Sequence, residues 1–295
     1  MTRCFSTTGP CIPAEHYMLN PEDRCPGVAD LIRRKFFFVI HAPRQSGKTT
    51  LLKSLARNFN GGADFYALYC SLESVQGIVN PEVGVPAILA CLKDAVENHP
   101  GLSQAGIRFD GQWAFNVAVK NQLKWICQAS PRPVVVFFDE ADCLGGDTLI
   151  SFLRQLRDGY VNRGEIPFVQ SLALVGMRNL RDYKGQVRPD SLTLGSASPF
   201  NIAKEALTLA GFSRDDVAAL YSQHTGDTGQ AFPPELVDSV FEMTQGQPWL
   251  VNALAAELVE KLCANNAALP LDAAMADEAA QRIILRRDTH IDSLL

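Results

Sequence analysis

Residues 36–52 constrain this chain more than any other stretch. Phe36, Phe37, Phe38, Val39 and Ile40 run into His41, Ala42, Pro43, Arg44, Gln45, Ser46, Gly47, Lys48, Thr49 and Thr50, and Leu51, Leu52 and Leu55 follow at helical spacing. An unbroken apolar run that ends at turn-forming residues reads as a buried strand, and the leucines read as the inner side of a helix. A helix that opens at Gly-Lys-Thr directly after a strand aims its first amides, and the positive end of its dipole, at whatever lies ahead of it. That is the layout of a phosphate-binding loop. The motif asks for a glycine at each end of the loop; Ala42 stands at the first, a replacement small enough to keep the turn.

The chemistry expected of such a loop follows from its residue types. Amides from Arg44 to Thr49 would replace water around a polyphosphate, with Pro43, Ser46, Gly47 and Thr50 completing the cradle. Lys48 reaches the β- and γ-phosphates, and the Thr49 hydroxyl suits Mg2+, which takes one or two oxygen ligands from a protein. Arg44 and Gln45 are open between the γ-phosphate, a neighbouring subunit and a solvated loop tip.

Composition bounds the rest. The chain has 295 residues, 47% of them hydrophobic and 20% charged, which suits an ordinary globular protein with a sizeable core and room for two domains. A net charge of −5 gives no global basic field, so a nucleic-acid partner would need a local patch. Eight cysteines without a Cys-x-x-Cys pair read as reduced thiols of a cytoplasmic protein. The five histidines form no metal-ligand spacing, and no apolar run approaches the ~20 residues of a membrane span. The start lacks a signal-peptide core. The chain ends soon after a helix-like run, which suggests that a longer protein continues.

Residues 1–27 hold four prolines, at 10, 13, 21 and 26, and cannot form a long helix. They read either as a strap across the nucleotide site, with Tyr17 or Met18 near the base, or as a surface strap. A short helix over 28–34, a second strand over 64–70, and helices over 85–97, 112–128 and 148–160 follow from periodicity.

The second chemical signal is Val134, Val135, Val136, Phe137 and Phe138 leading into Asp139 and Glu140. The run reads as a central parallel strand buried on both faces. Asp139 is placed to hold Mg2+ through water, and Glu140 to orient and deprotonate the water that attacks the γ-phosphate. The plainer alternative is that both acids cap the next helix. A further strand over 168–176 precedes Met177 and Arg178; Arg178 reads as a reporter of the γ-phosphate, or as an exposed loop arginine. A short fifth strand is expected over 191–194 and a break near 198. Beyond it the chain reads as helical, with a side-chain cap at Ser213 and a Gly246-Gln247-Pro248 turn that heads a helix. The expected organisation is a strap and short helix over 1–35, a nucleotide core over 36–197 and a helical lid over 198–295.

Assembled, these residues resemble the AAA-like branch of the P-loop ATPases, and within it the bacterial and archaeal ATPases related to the signal-transducing STAND group and to origin-recognition ATPases. The resemblance rests on residues 42–50, 137–142, 176–178 and 246–248. It implies an α/β fold: a three-layer P-loop NTPase core with a five-stranded parallel sheet, the Asp-Glu strand next to the loop strand, then a helical lid. It also implies that Pro248 contacts adenine. The expected activity is ATP hydrolysis with Mg2+, catalysed by Glu140, Lys48 and Arg178, that remodels a protein partner or DNA, in a chain that can form homo-oligomers. The alternative is a slow nucleotide-dependent switch. A GTPase is the weaker reading, since no Asn-Lys-x-Asp-like motif is present.

Overall fold

The computed structural model describes residues 3–176 and 202–286. They divide into two compact units. One, the sheet unit, comprises Cys25–Ala42 and Leu51–Thr208; the other, the helical unit, comprises Met1–Arg24, Pro43–Thr50 and Leu209–Leu295.

Five parallel strands build the sheet unit: β1 Phe37–His41, β2 Tyr66–Ser71, β3 Val134–Asp139, β4 Ser171–Gly176 and β5 Ala203–Thr208. Their spatial order is β2-β3-β4-β1-β5. Side chains of a strand alternate between faces. Phe37, Val39, Leu68, Cys70, Val134, Val136, Phe138, Leu172 and Leu174 therefore share one core with α3 (Pro81–Glu97), α4 (Phe115–Ala129) and α5 (Gly146–Val161). Phe38, Ile40, Val135, Phe137 and Ala173 occupy the alternate positions and are buried too. Here α1 (Val28–Arg33) packs on β1 and β4. Burial on both faces is what a parallel α/β sheet demands, and it explains the continuous apolar runs.

The order corrects one expectation. The Asp-Glu strand β3 is not next to the loop strand β1, because β4 lies between them and pairs with both. All six β4 residues are buried, so it takes an interior place. β5, with Lys204 and Glu205 exposed, takes an edge. β5 also carries the sheet past residue 198, and the unit boundary falls after Thr208. Residues 191–194, where a fifth strand was expected, lie outside the described residues.

The helical unit contains α6 (Arg214–Thr228), α7 (Pro234–Thr244), α8 (Pro248–Ala256), a π-helical turn Glu257–Leu262 and α9 (Ala274–Leu285). Its core joins Val217, Leu220, Tyr221, Leu236, Val240, Leu254 and Ile283 to Phe5 and Tyr17 of the N-terminal segment. That segment is integral to the unit: the Tyr17 amide donates to the Cys4 carbonyl at 2.9 Å, and the Trp249 indole N–H donates to the Thr7 carbonyl at 2.8 Å. No helix among the described residues is long and apolar enough to cross a membrane.

Ser213 opens α6 with a reciprocal cap. Its hydroxyl accepts from the Asp216 amide at 3.1 Å, and the Asp216 carboxylate accepts from the Ser213 amide at 2.8 Å. Removing that acceptor in Ser213→Ala is expected to lower stability by about 1 kcal/mol, seen as a lower urea midpoint.

Candidate nucleotide site

The loop after β1 is shaped by two left-handed residues, Gln45 at φ 58° and Gly47 at φ 90°. A Cβ on Gly47 would stand 3.3 Å from the Arg24 guanidinium, a side-chain end that can yield, so it is the left-handed φ that calls for glycine here. Ala42 is different. It is absent from the left-handed residues, and its amide donates to the Gly176 carbonyl at 3.2 Å, extending the strand pairing by one step. A backbone in that conformation accepts any small residue, which accounts for alanine at the motif's first glycine.

Lys48 begins α2 (Lys48–Gly61), is 6% exposed, and donates to the Pro43 carbonyl at 2.9 Å. The Ser46 hydroxyl donates to the same carbonyl at 2.8 Å. The first turn of α2 contains no acidic side chain. The amides of that first turn carry the positive end of the helix dipole.

Two side chains and one backbone amide hold this loop from within the helical unit. Arg24 donates to the Ser46 carbonyl at 2.8 Å and to the Ala210 carbonyl at 2.8 Å, with its guanidinium 4.7 Å from the Phe212 ring centroid. Gln247 donates to the Arg44 and Gln45 carbonyls at 3.5 and 3.4 Å, and accepts from the Leu250 amide at the head of α8. The Cys11 amide donates to the Thr50 hydroxyl at 3.1 Å. A lone arginine or cysteine in a proline-rich segment carries no periodic signal. Gln247 sits inside the Gly-Gln-Pro turn that was visible.

That turn is tightly built. Gly246 has φ 71°, and a Cβ there would fall 1.8 Å from the Phe212 carbonyl oxygen. Pro248 is buried at the first position of α8. Tyr17, expected near the base, lies elsewhere: it is 1% exposed, with its ring 4.8 Å from that of Phe5 and 5.6 Å from that of His224. Its ring is consumed by core packing, so the expectation of a base contact is corrected.

In the sheet unit, β3 delivers the acids. Asp139 is 1% exposed; one carboxylate oxygen accepts the Glu140 amide at 3.1 Å and the other accepts the Tyr69 hydroxyl at 3.0 Å. Glu140 adopts φ 54°, ψ 37°, a left-handed conformation that costs a non-glycine residue about 1 kcal/mol or more and is concentrated at functional sites. It precedes a short 3-10 turn, Ala141–Cys143, without a side-chain capping bond, which sets aside the reading of this acid as a helix cap. At the tip of β4 a Cβ on Gly176 would meet the Asp142 carboxylate at 2.4 Å, so the glycine makes room for an acid of the adjoining strand end. Burial, reinforced by Asp142 and Glu140, pushes the nearby Cys143 thiol up to about 12, so it stays protonated and is no nucleophile. Arg178 and Met177 lie outside the described residues.

No family model matches the chain, and no curated protein matches it significantly. Solved structures do. The chain is similar to the Walker-type ATPase of Pyrococcus abyssi, with 12% identity and a TM-score of 0.63 over 98% of this chain and 79% of that one. It is similar to ORC1 of Aeropyrum pernix, solved in complex with DNA, with 11% identity and a TM-score of 0.57 over 90% of this chain and 66% of that one. Cdc6p from Pyrobaculum aerophilum matches with 12% identity and a TM-score of 0.53 over 81% of this chain and 59% of that one. Likeness at such identities is one of fold: a five-stranded parallel sheet with flanking helices, the α/β fold of P-loop NTPases.

Proposed function

We propose that this protein binds ATP with Mg2+ and hydrolyses it, coupling nucleotide state to a conformational change that acts on a protein partner or DNA. The observation that carries the proposal is the loop that leads into α2. Left-handed residues Gln45 and Gly47 turn the chain into a helix that opens at Lys48, so its first amides and the positive end of its dipole face an incoming polyphosphate. The backbone amides from Arg44 to Thr49 and the Lys48 ammonium bind and orient the phosphates. The hard oxygens of Thr49 and Asp139 fit Mg2+ rather than a softer metal. Bound there, the ion neutralises phosphate charge. Glu140 orients a water and takes its proton. Arg178 senses the γ-phosphate, and Pro248 faces the adenine.

A slow switch of the STAND kind is the second reading. It is favoured by the bonds from Arg24 and Gln247 to the loop's carbonyls, since a loop that moves with its nucleotide would disturb both. DNA is one candidate partner because ORC1 is a structural neighbour solved with DNA. The test is nucleotide affinity and phosphate release with and without duplex DNA. ATP is expected to bind more tightly than GTP in the presence of Mg2+. Equal affinities would remove the adenine role of Pro248, and failure to bind either nucleotide would overturn the proposal. Turnover stimulated by DNA would favour remodelling; near-zero turnover with slow nucleotide release would favour the switch.

A further inference from the structure

The contact between Tyr69 and Asp139 joins residues 70 positions apart on adjacent strands. Ser71 is in register with Asp139 and Tyr69 with Phe137, so Tyr69, Ser71, Phe137 and Asp139 share one face of the sheet. From that face the phenol reaches forward to the carboxylate. Two features hold it there. The Asn60 side-chain amide accepts from the Ala67 amide at 2.7 Å and donates to the Ala67 carbonyl at 3.0 Å, pinning β2 two residues before Tyr69. The ammonium of Lys53 on α2 lies 5.3 Å from the Tyr69 ring centroid, covering its face.

The geometry points to Tyr69 as a positioning residue for the magnesium carboxylate, a role that rests on the assignment of Asp139 proposed above. A carboxylate that is 1% exposed keeps its charge at a cost unless donors meet it. The Glu140 amide fixes one oxygen and the Tyr69 hydroxyl the other. With both engaged, the plane of the carboxylate is set before the metal arrives. Outer partners of this kind orient a ligand and raise metal affinity. Lys53 over the ring draws electron density from the phenol and strengthens its hydroxyl as a donor. Tyr69 acts through the Asp139 carboxylate that it orients.

The test is Tyr69→Phe, which deletes one oxygen and keeps the ring against Lys53. A fluorescent ATP analogue is titrated into the full chain with Mg2+ and with excess chelator, and the ratio of the two affinities is read. Tyr69→Phe is expected to reduce the Mg2+ enhancement about tenfold, while leaving the Mg2+-free affinity unchanged. A merely structural role would weaken both affinities together and would overturn the proposal, as would an unchanged ratio. Asp139→Asn in the same titration separates two failures. If it abolishes the enhancement while Tyr69→Phe does not, only the role of Tyr69 falls. If neither variant alters the ratio, the magnesium assignment falls and takes this one with it. A loss in Tyr69→Phe without one in Asp139→Asn would place the effect elsewhere and equally overturn it.

Discussion

Lys48→Ala is expected to lower ATP affinity by about a hundredfold to ten-thousandfold while the protein stays folded. Hydrogen bonds to a charged partner contribute roughly 1.5–3 kcal/mol each, and the ammonium is proposed to serve two phosphates. Two such bonds amount to about 3–6 kcal/mol, and every 1.4 kcal/mol is about a factor of ten. The variant also removes the donor that the Pro43 carbonyl receives at 2.9 Å, so a small loss of thermal stability accompanies the loss of binding. Lys48→Met separates the terms. It keeps the buried stem, 6% exposed in the native residue, and drops only the charge. Isothermal titration with ATP and Mg2+ is the measurement, with circular dichroism to confirm the fold. An affinity within threefold of the native value in both variants would remove the phosphate site from the loop.

The parts of this protein that were legible in its sequence are those whose cause is local. The strand before the loop, the helix after it and the glycine between them are adjacent in the chain, and each has its own signature in residue type. β3 was legible for the same reason, since an apolar run closed by two acids leaves few alternatives. β5 was not. Its Lys204 and Glu205 are exposed because an edge strand needs only one covered side, and no apolar alternation marks it. Strand order was not legible either. Both β3 and β4 are wholly buried, and nothing in their composition says which one adjoins β1. Tyr17 looked available because its neighbours are prolines and turn formers; the cavity it fills is made by Phe5, Tyr221 and His224, from distant parts of the chain. The same distance hid Tyr69 behind Asp139 and Arg24 behind Ser46. Hydrogen bonds that close long loops are set by topology, and topology is what a linear reading lacks.

Glu140→Gln is expected to leave ATP affinity within about threefold of the native value and to cut hydrolysis by about 10²–10⁴, the usual contribution of a positioned general base. The substitution suits the backbone. Glutamine already occupies left-handed positions at Gln45 and Gln245, with φ 58° and 48°, so the variant inherits the conformation of Glu140 without added strain. The amide is nearly isosteric with the carboxylate and still hydrogen-bonds a water, but it cannot accept its proton. Single-turnover hydrolysis of prebound ATP isolates the chemical step from product release, which matters if the native enzyme is itself slow. Where binding survives and the single-turnover rate collapses, the left-handed Glu140 is the base and its strained backbone aims it. A rate above one tenth of native would leave Glu140 as a structural acid and require another proton acceptor.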